Sequence, residues 1–204
     1  MNTSQCWQVA EILAVRMWTS VVICCVPDDT ISSIVTYVLA VGGSTLQASP
    51  EGFFESEVVW NGDIGAATGG GVSQYFAEPF YQRSLPHSDQ KQLAGRRGIP
   101  DVAFNAELIY TYVSFYPDPT YNGFQLNGGT SEAAPAWAGV MAVANQLAGR
   151  SLGFVHPRLY RLGALGEQSA FFHDVTTDNN ATNGLPATVR QRGGIRLQDG
   201  DRPI

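Results

Sequence analysis

Small and apolar residues dominate every side of the stretch from Ser131 to Leu147. A helix that is apolar all round is typical of the buried centre of a domain, so the sequence predicts an interior helix here. Gly149 is its predicted C-cap. Gly128 and Gly129 come directly before it, which places Ser131 at the start of the helix after a glycine turn.

The whole chain divides into three zones. Residues 1–33 show no clear hydrophobic period, and residues 189–204 are basic, polar and without an apolar face. Residues 34–188 alternate short apolar runs with Gly, Pro and Asn turns, as βα units do. Within this zone we predict a buried strand at 36–41 closed by Gly42-Gly43, a helical turn at 72–76 capped by Ser73, a strand at 99–104, and a hairpin with arms at 110–115 and 124–126.

Composition narrows the class of protein. With 22 glycines and 15% charged residues, the chain fits a compact, loop-rich α/β domain better than a disordered segment. The net charge of −6 argues against nucleic-acid binding, which needs clustered Lys and Arg. An acidic surface also fits work at low pH, where part of that charge is neutralised.

Neither the cysteines nor the N-terminal apolar run indicates a compartment. Cys6, Cys24 and Cys25 form no CxxC or Cys/His metal spacing. The apolar run at 17–26 is too short to span a bilayer. It also follows Glu11 without a basic start, so we expect neither a membrane span nor a clear signal peptide.

The segment that carries chemistry is the glycine turn with Ser131. Glycines let a backbone come close to a bound peptide. The N-terminus of a helix offers free N–H groups and positive potential, which suit a developing oxyanion. The residues alone leave a second interpretation open, in which Ser131 only caps an ordinary core helix.

Several ordered segments resemble the sedolisin family of serine-carboxyl peptidases, in the subtilisin-like clan. Gly129-Thr130-Ser131 followed by Ala-Ala-Pro is similar to the clan's nucleophile motif, and Pro135-Ala-Trp-Ala-Gly139 resembles sedolisins in particular. The other matching segments are 37–43, 69–73 with Pro79 and Tyr81-Gln82, 98–103, 157–160 and 172–176. The resemblance implies a subtilisin-like α/β fold with a mainly parallel sheet flanked by helices, of which residues 34–188 form an incomplete part.

The resemblance also implies a mechanism. Ser131 would be the nucleophile, a glutamate supported by an aspartate four residues away would be the base, and a second aspartate would help to stabilise the oxyanion. No Glu in this chain is followed by Asp at that spacing. The region expected to hold the oxyanion aspartate reads Val26-Pro-Asp-Asp29, without the family's glycine. We therefore expect the chain to be inactive alone.

Three other residues are weaker candidates. Glu132 is adjacent to Ser131, and neighbours on a helix face apart. His87 lacks the His-Gly-Thr context of subtilisins and is expected to be an exposed loop residue. Asp101 falls in a matching segment that we interpret as structural.

The resemblance further implies a calcium site. Asp174 matches a carboxylate ligand and Val175 a backbone-carbonyl ligand, and calcium takes oxygen ligands. Pro186-Ala-Thr188 begins the family's second calcium segment, but the following tail, 189–204, departs from it. Read one nucleotide later, that tail can encode Gly-Phe-Asp-x-x-Thr-Gly-x-Gly, so we interpret it as frame-shifted. Residues 1–33 could have a similar origin.

These observations favour an endopeptidase or tripeptidyl peptidase lineage that acts on peptides at acid pH, in a secreted or lysosome-like setting. Two alternatives stay open. One is a non-catalytic remnant that binds peptides or a protein partner through the old cleft, and the other is a subtilisin-type enzyme that uses His87.

Overall fold

The computed structural model describes residues 22–24, 36–62, 66–114, 120, 122–164, 172, 173 and 175. The strands are β1 Val22–Cys24, β2 Leu39–Ala48, β3 Phe54–Val59, β4 Asn61–Gly62, β5 Ala66–Ala67, β6 Gly71–Ala77, β7 Arg96–Ile99, β8 Val102–Asn105, β9 Ile109–Val113 and β10 Gly123–Asn127. The helices are a 3-10 turn at Gln82–Ser84, α1 His87–Leu93, α2 Thr130–Ala148 and α3 His156–Gly163.

β2 is the centre of the largest sheet. It pairs in parallel with β1 and β8 and antiparallel with β3, so this sheet is mixed. β4–β5, β6–β7 and β9–β10 form three further antiparallel ladders. Together with α2, which packs on β1, β2 and β8, they make an α/β arrangement.

The prediction that Gly42-Gly43 closes the first buried strand is wrong, because β2 continues through both glycines to Ala48. Glycine occurs at position 43 because neighbouring residues pack closely against the strand there, and not because the chain turns. A Cβ on Gly43 would lie 2.6 Å from the Ala106 Cβ and 3.3 Å from both Thr130 Cγ2 and Trp60 Cβ. Glycine therefore lets three segments of the chain approach the middle of the strand.

The predicted helical turn at 72–76 is also wrong, because this segment belongs to β6. Its pairing with β7 is interrupted between Val72 and Ala77. Ser73 nevertheless does what a capping residue does, since its Oγ accepts the N–H groups of Tyr75 at 3.1 Å and Phe76 at 2.9 Å. The capping hydrogen bonds of Ser73 were therefore predicted correctly, but the segment is a strand and not a helical turn.

The later elements agree better with the sequence. The predicted hairpin is β9 paired with β10. The predicted strand at 99–104 is split by Pro100-Asp101 into the end of β7 and β8. The predicted helix extends over Thr130–Ala148, and Gly149 takes the left-handed conformation expected of its C-cap.

The expectation that α2 is buried on every side is corrected by the structure. One face lies in the core, whereas Val143 is 55% and Leu147 84% exposed. Trp137 anchors the buried face by donating its indole N–H to the Ala103 carbonyl at 3.1 Å. The core cluster around it consists of Leu39, Val41, Trp60, Val102, Ala106, Ala133, Ala134, Trp137, Met141 and Val155. Among the described residues, no helix is long and apolar enough to cross a membrane.

A buried ion pair links β2 to β7 and to α3. The Arg97 guanidinium donates to both oxygens of Asp101, at 2.6 Å each, and both side chains are fully buried. Asp101 also accepts the backbone N–H of Ala40 at 2.9 Å and the Tyr160 hydroxyl at 2.8 Å. One carboxylate thus joins β2, the end of β7 and α3.

Further polar groups complete this network. Gln82 donates to the Gly98 carbonyl and the Tyr160 hydroxyl, both at 2.7 Å, and accepts the Gly98 N–H at 3.0 Å. His156 Nε2 lies 3.1 Å from the Val38 carbonyl oxygen. Because the Asp101 oxygens have so many donors, the charge is tolerated inside the protein.

Asp101 stays ionised in acid. Burial alone would raise its pKa, but the charge of Arg97 and the hydrogen bonds from His156 and Arg97 together outweigh burial and lower the pKa from 3.8 to about 2. Since the folded pKa lies below the ordinary value, the stabilisation is fully present above pH 3.8 and is lost as the pH falls through about 2. The network therefore persists over most of the acid range.

We predict that Asp101→Asn lowers the free energy of unfolding by about 3–5 kcal/mol near neutral pH, because it leaves Arg97 buried without its counter-charge. Urea unfolding monitored by circular dichroism at several pH values measures this. The difference from wild type should shrink as the pH approaches 2. Glu55→Gln, at an exposed position of β3, is the control and should change stability little. A loss equal to that of the control would contradict the assigned role of the pair.

Candidate functional site

Ser131 lies in the first turn of α2 and is exposed, one residue after the buried Thr130. The 19-residue helix behind it is fixed to the sheet by its buried face, which includes Ala133, Ala134 and Trp137. The sequence predicted this placement at a helix N-terminus. An exposed hydroxyl on a rigid element is the arrangement that a nucleophile requires.

The turn before Ser131 is held by backbone hydrogen bonds. The Gly129 N–H donates to the Ala106 carbonyl at 2.7 Å, and the Gly129 carbonyl accepts the Glu132 N–H at 2.9 Å. Ala106 in turn donates its N–H to the Ser44 carbonyl at 2.7 Å. The serine turn is therefore connected through Ala106 to the central strand β2.

Glycine is required at Gly129. Its φ of 98° and ψ of 169° lie in a region that is essentially restricted to glycine. Gly128 is constrained by space instead, since a Cβ there would lie 3.1 Å from the Ala106 carbonyl oxygen. Both glycines let the chain turn sharply into α2 while it stays close to the β8–β9 connection.

Trp60 packs against the turn at Gly129, and the sequence analysis did not predict this contact. It is 8% exposed, and its ring atom Cη2 would lie 3.9 Å from a Cβ on Gly129. Its N–H donates to the Gly43 carbonyl, and its carbonyl accepts the Thr68 N–H. Thr68 closes the arrangement, because its Oγ1 accepts the Gly43 N–H at 2.8 Å. A buried threonine directly before three glycines was the available signal.

The electrostatics of this turn favour negative charge. The first N–H groups of a helix lack acceptors within the helix, and its dipole makes this end positive. A tetrahedral oxyanion formed beside Ser131 would meet this potential. The first turn also contains Glu132, which is partly buried and follows Ser131 directly.

The other candidate residues lie elsewhere. His87 begins α1 and is exposed, so it belongs to a short helix and not to the expected loop. Asp101 lies in the buried ion-pair network, which supports its structural interpretation. Val175 is 2% exposed, and Asp174 lies outside the described residues.

The described residues do not assemble a calcium site by themselves. No group of three or more His, Cys, Asp or Glu side chains among them is arranged to hold a metal ion. Close to Val175, His173 Nδ1 lies 3.2 Å from Glu57 Oε2. Burial raises the pKa of the Glu57 carboxyl. The expected calcium donors at 174 and after 188 lie outside the described residues.

Comparison with known sequences finds kumamolisin from Bacillus sp. (strain MN-32), which is 41% identical over 147 residues, 71% of this chain and 25% of that protein. Sedolisin from Pseudomonas sp. (strain 101) is 34% identical over 157 residues, 72% of this chain and 24% of that protein. Human (Homo sapiens) tripeptidyl-peptidase 1 is 31% identical over 144 residues, 64% of this chain and 23% of that protein. No family model matches the chain.

Among solved structures, Pseudomonas sedolisin, a serine-carboxyl proteinase complexed with two molecules of pseudo-iodotyrostatin, matches with a TM-score of 0.60 and 32% sequence identity. The match covers 74% of this chain and 40% of that chain. This chain spans about a quarter of the length of the curated relatives that it matches.

We predict that Gly129→Ala destabilises the protein by about 1–3 kcal/mol, because alanine is strained at this backbone conformation. Gly139→Ala, in the exposed interior of α2, is the matched control. A Cβ there meets nothing within 4 Å, and alanine favours helix by up to about 1 kcal/mol. Thermal unfolding of both variants measures the difference. If both variants are equally stable, the conclusion that the turn before Ser131 requires glycine at position 129 is wrong.

Proposed function

This chain is a homologue of the sedolisin family of serine-carboxyl peptidases over 71% of its length, and we propose that it carries the nucleophile-bearing part of an acid peptidase domain. Ser131 is the nucleophile in this proposal. The observation that carries it is the exposed Ser131 in the first turn of α2, after Gly129, whose backbone conformation is essentially restricted to glycine. The N-cap of α2 is Gly129 and not Ser131, which argues against the alternative in which Ser131 only caps a core helix.

The chain's own residues would perform part of an acyl transfer. The Ser131 hydroxyl would attack a peptide carbonyl, and the N-terminus of α2 would stabilise the negative charge that forms on the carbonyl oxygen. The attack needs a base that removes the hydroxyl proton. The resemblance assigns this step to a Glu–Asp pair four residues apart, a spacing that this sequence does not contain.

The proposed setting is acidic, either extracellular or lysosome-like. The low pKa of Asp101, about 2, supports this, because the buried ion pair survives at the pH where a carboxylate base works. The net charge of −6 is also partly neutralised there. In fold terms, we propose that the mixed sheet around β2 corresponds to part of the mainly parallel sheet of a subtilisin-like domain.

We predict no peptidase activity from this chain alone. Without a base, Ser131 keeps its proton at any pH at which the fold survives. Purified chain incubated with denatured protein between about pH 3 and 7 should release no more peptide than the Ser131→Ala variant, as measured by mass spectrometry.

Serine-dependent turnover by the chain alone would show that it contains a base, and would overturn the proposed dependence on an absent pair. Cleavage that is equal in both variants would be contamination. A His87→Ala variant tests the subtilisin-type alternative in the same assay, because only that alternative predicts serine-dependent turnover that also needs His87.

Calcium binding is proposed to be weak or absent. Asp174 and the Val175 carbonyl would supply two of about six to eight oxygens that calcium requires. The remaining donors of the family fall in the tail that we interpret as frame-shifted. Arg190, Arg192 and Arg196 stand in that tail and would repel a cation.

We predict that calorimetric titration of this chain with calcium gives no binding heat up to about 1 mM. A second protein, with the reading frame restored after Thr188, should bind calcium and gain a calcium-dependent rise in melting temperature. Tight binding by the present chain, or no binding by the restored one, would contradict the frameshift hypothesis.

A further inference from the structure

Thr68 completes a ring of hydrogen bonds beneath the turn that presents Ser131. Its Oγ1 accepts the Gly43 N–H at 2.8 Å. Its own N–H donates to the Trp60 carbonyl at 3.0 Å, and the Trp60 N–H donates to the Gly43 carbonyl at 3.1 Å. The ring therefore ties β2 to the residues that directly follow β3 and β5.

The Thr68 hydroxyl lies at a gap in the pairing of β2. The ladder with β1 ends at Val41 and the ladder with β3 begins at Ser44, so neither of these two ladders includes Gly43. The hydroxyl takes the place of a strand carbonyl at this gap. Because Gly43 is buried and Thr68 is only 2% exposed, removal of the hydroxyl would leave the Gly43 N–H without an acceptor and without water.

The Trp60 indole extends from this ring of hydrogen bonds to the serine turn. A Cβ on Gly129 would lie 3.9 Å from the indole Cη2, and a Cβ on Gly62 would lie 3.4 Å from the indole Cζ2. The Trp60 side chain is buried and belongs to the main core cluster. Because a packed interior has little free space, a displacement of the Trp60 backbone would be transmitted to Gly129.

The Thr68 hydroxyl makes two bonds that a methyl group cannot make. Besides accepting the Gly43 N–H, it donates to the Gly69 carbonyl at 3.4 Å. Valine has nearly the same shape as threonine but has no oxygen at this position. We therefore expect the hydroxyl, and not only the size of the side chain, to determine where Trp60 lies.

We propose that Thr68 is a positioning residue for Ser131, which acts through Trp60 by holding the indole against Gly129. The proposal rests on the proposed function, because Ser131 is the group that is positioned. It adds to the peptidase site a residue that is distant from the serine in sequence. Such positioning matters for acyl transfer, since a displacement of about 1 Å can cost on the order of a hundredfold in rate.

The test compares two variants of the full isotope-labelled chain by NMR. Thr68→Val should make the Gly43 amide exchange with solvent at least about tenfold faster, because a buried N–H loses its acceptor. The contact between the Trp60 ring protons and the Gly129 α protons should weaken, and the Ser131 amide signal should shift. Thr68→Ser keeps the hydroxyl and should return all three signals to near their wild-type values.

Tyr160→Phe is the matched control for a loss of stability alone. It removes a hydroxyl that donates to Asp101 at 2.8 Å, on α3 and outside the ring of hydrogen bonds. It should lower the melting temperature and leave the Gly129 and Ser131 signals as in wild type. Unchanged Gly129 and Ser131 signals in Thr68→Val would overturn the proposal, and so would equal changes in Tyr160→Phe or in Thr68→Ser.

Trp60→Phe keeps the proposal testable if Thr68→Val does not fold. Phenylalanine keeps the backbone bonds of the ring but lacks the indole atoms nearest to Gly129. The Gly43 amide should stay protected from exchange while the Gly129 signal moves. An unmoved Gly129 signal in this variant would overturn the proposal.

The positioning role and the proposed function can fail separately, because these signals report where the turn lies and need no turnover. If Thr68→Val moves the turn but an added peptide shifts no amide from Gly129 to Glu132, only the proposed function fails. If the peptide shifts these amides but Thr68→Val leaves the turn in place, only the positioning role fails.

Discussion

The backbone of Ala106 is the connection on which the candidate site depends. Its N–H binds the Ser44 carbonyl of the central strand, and its carbonyl binds the Gly129 N–H. Ala106 is fully buried, and its Cβ occupies the space that the missing Gly43 side chain leaves. A larger residue at position 43 would push the β8–β9 connection away, and the turn that presents Ser131 would move with it.

The buried Arg97–Asp101 pair serves a different purpose. The Asp101 carboxylate joins the start of β2 to α3, because it accepts the Ala40 N–H and the Tyr160 hydroxyl. These two donors lie far apart in the sequence. Hydrogen bonds to this carboxylate depend on direction, whereas a hydrophobic contact between the same elements would not. Because the Asp101 pKa is about 2, this orientation is retained under acid conditions.

The sequence predicted the elements whose signals are local. The β9–β10 hairpin and the long helix α2 have strong patterns, and Gly149 is a C-cap of the usual kind. Gly43 was misinterpreted because a glycine that ends a strand and a glycine that admits a neighbour look alike in sequence. Only the distant residue Ala106 distinguishes them. The burial of the outer face of α2 was predicted wrongly for a related reason. A helix that is apolar all round does not indicate which of its faces the sheet covers.

The placement of Ser131 was predictable, but the support beneath it was not. The glycine turn and the small residues that follow place the serine at a helix start, whereas Trp60 and Thr68 reach it only through the folded sheet. The same limit applies to the ion pair, because nothing local to Asp101 indicates Tyr160 as its partner.

The proposed function requires that the turn from Gly129 to Glu132 binds a peptide beside Ser131. Titration of the isotope-labelled chain with a short peptide, monitored through amide NMR chemical shifts, tests this requirement. The largest shifts should fall on the amides of Gly129, Ser131 and Glu132. Shifts confined to distant elements such as α1, or no shifts at millimolar ligand, would contradict it.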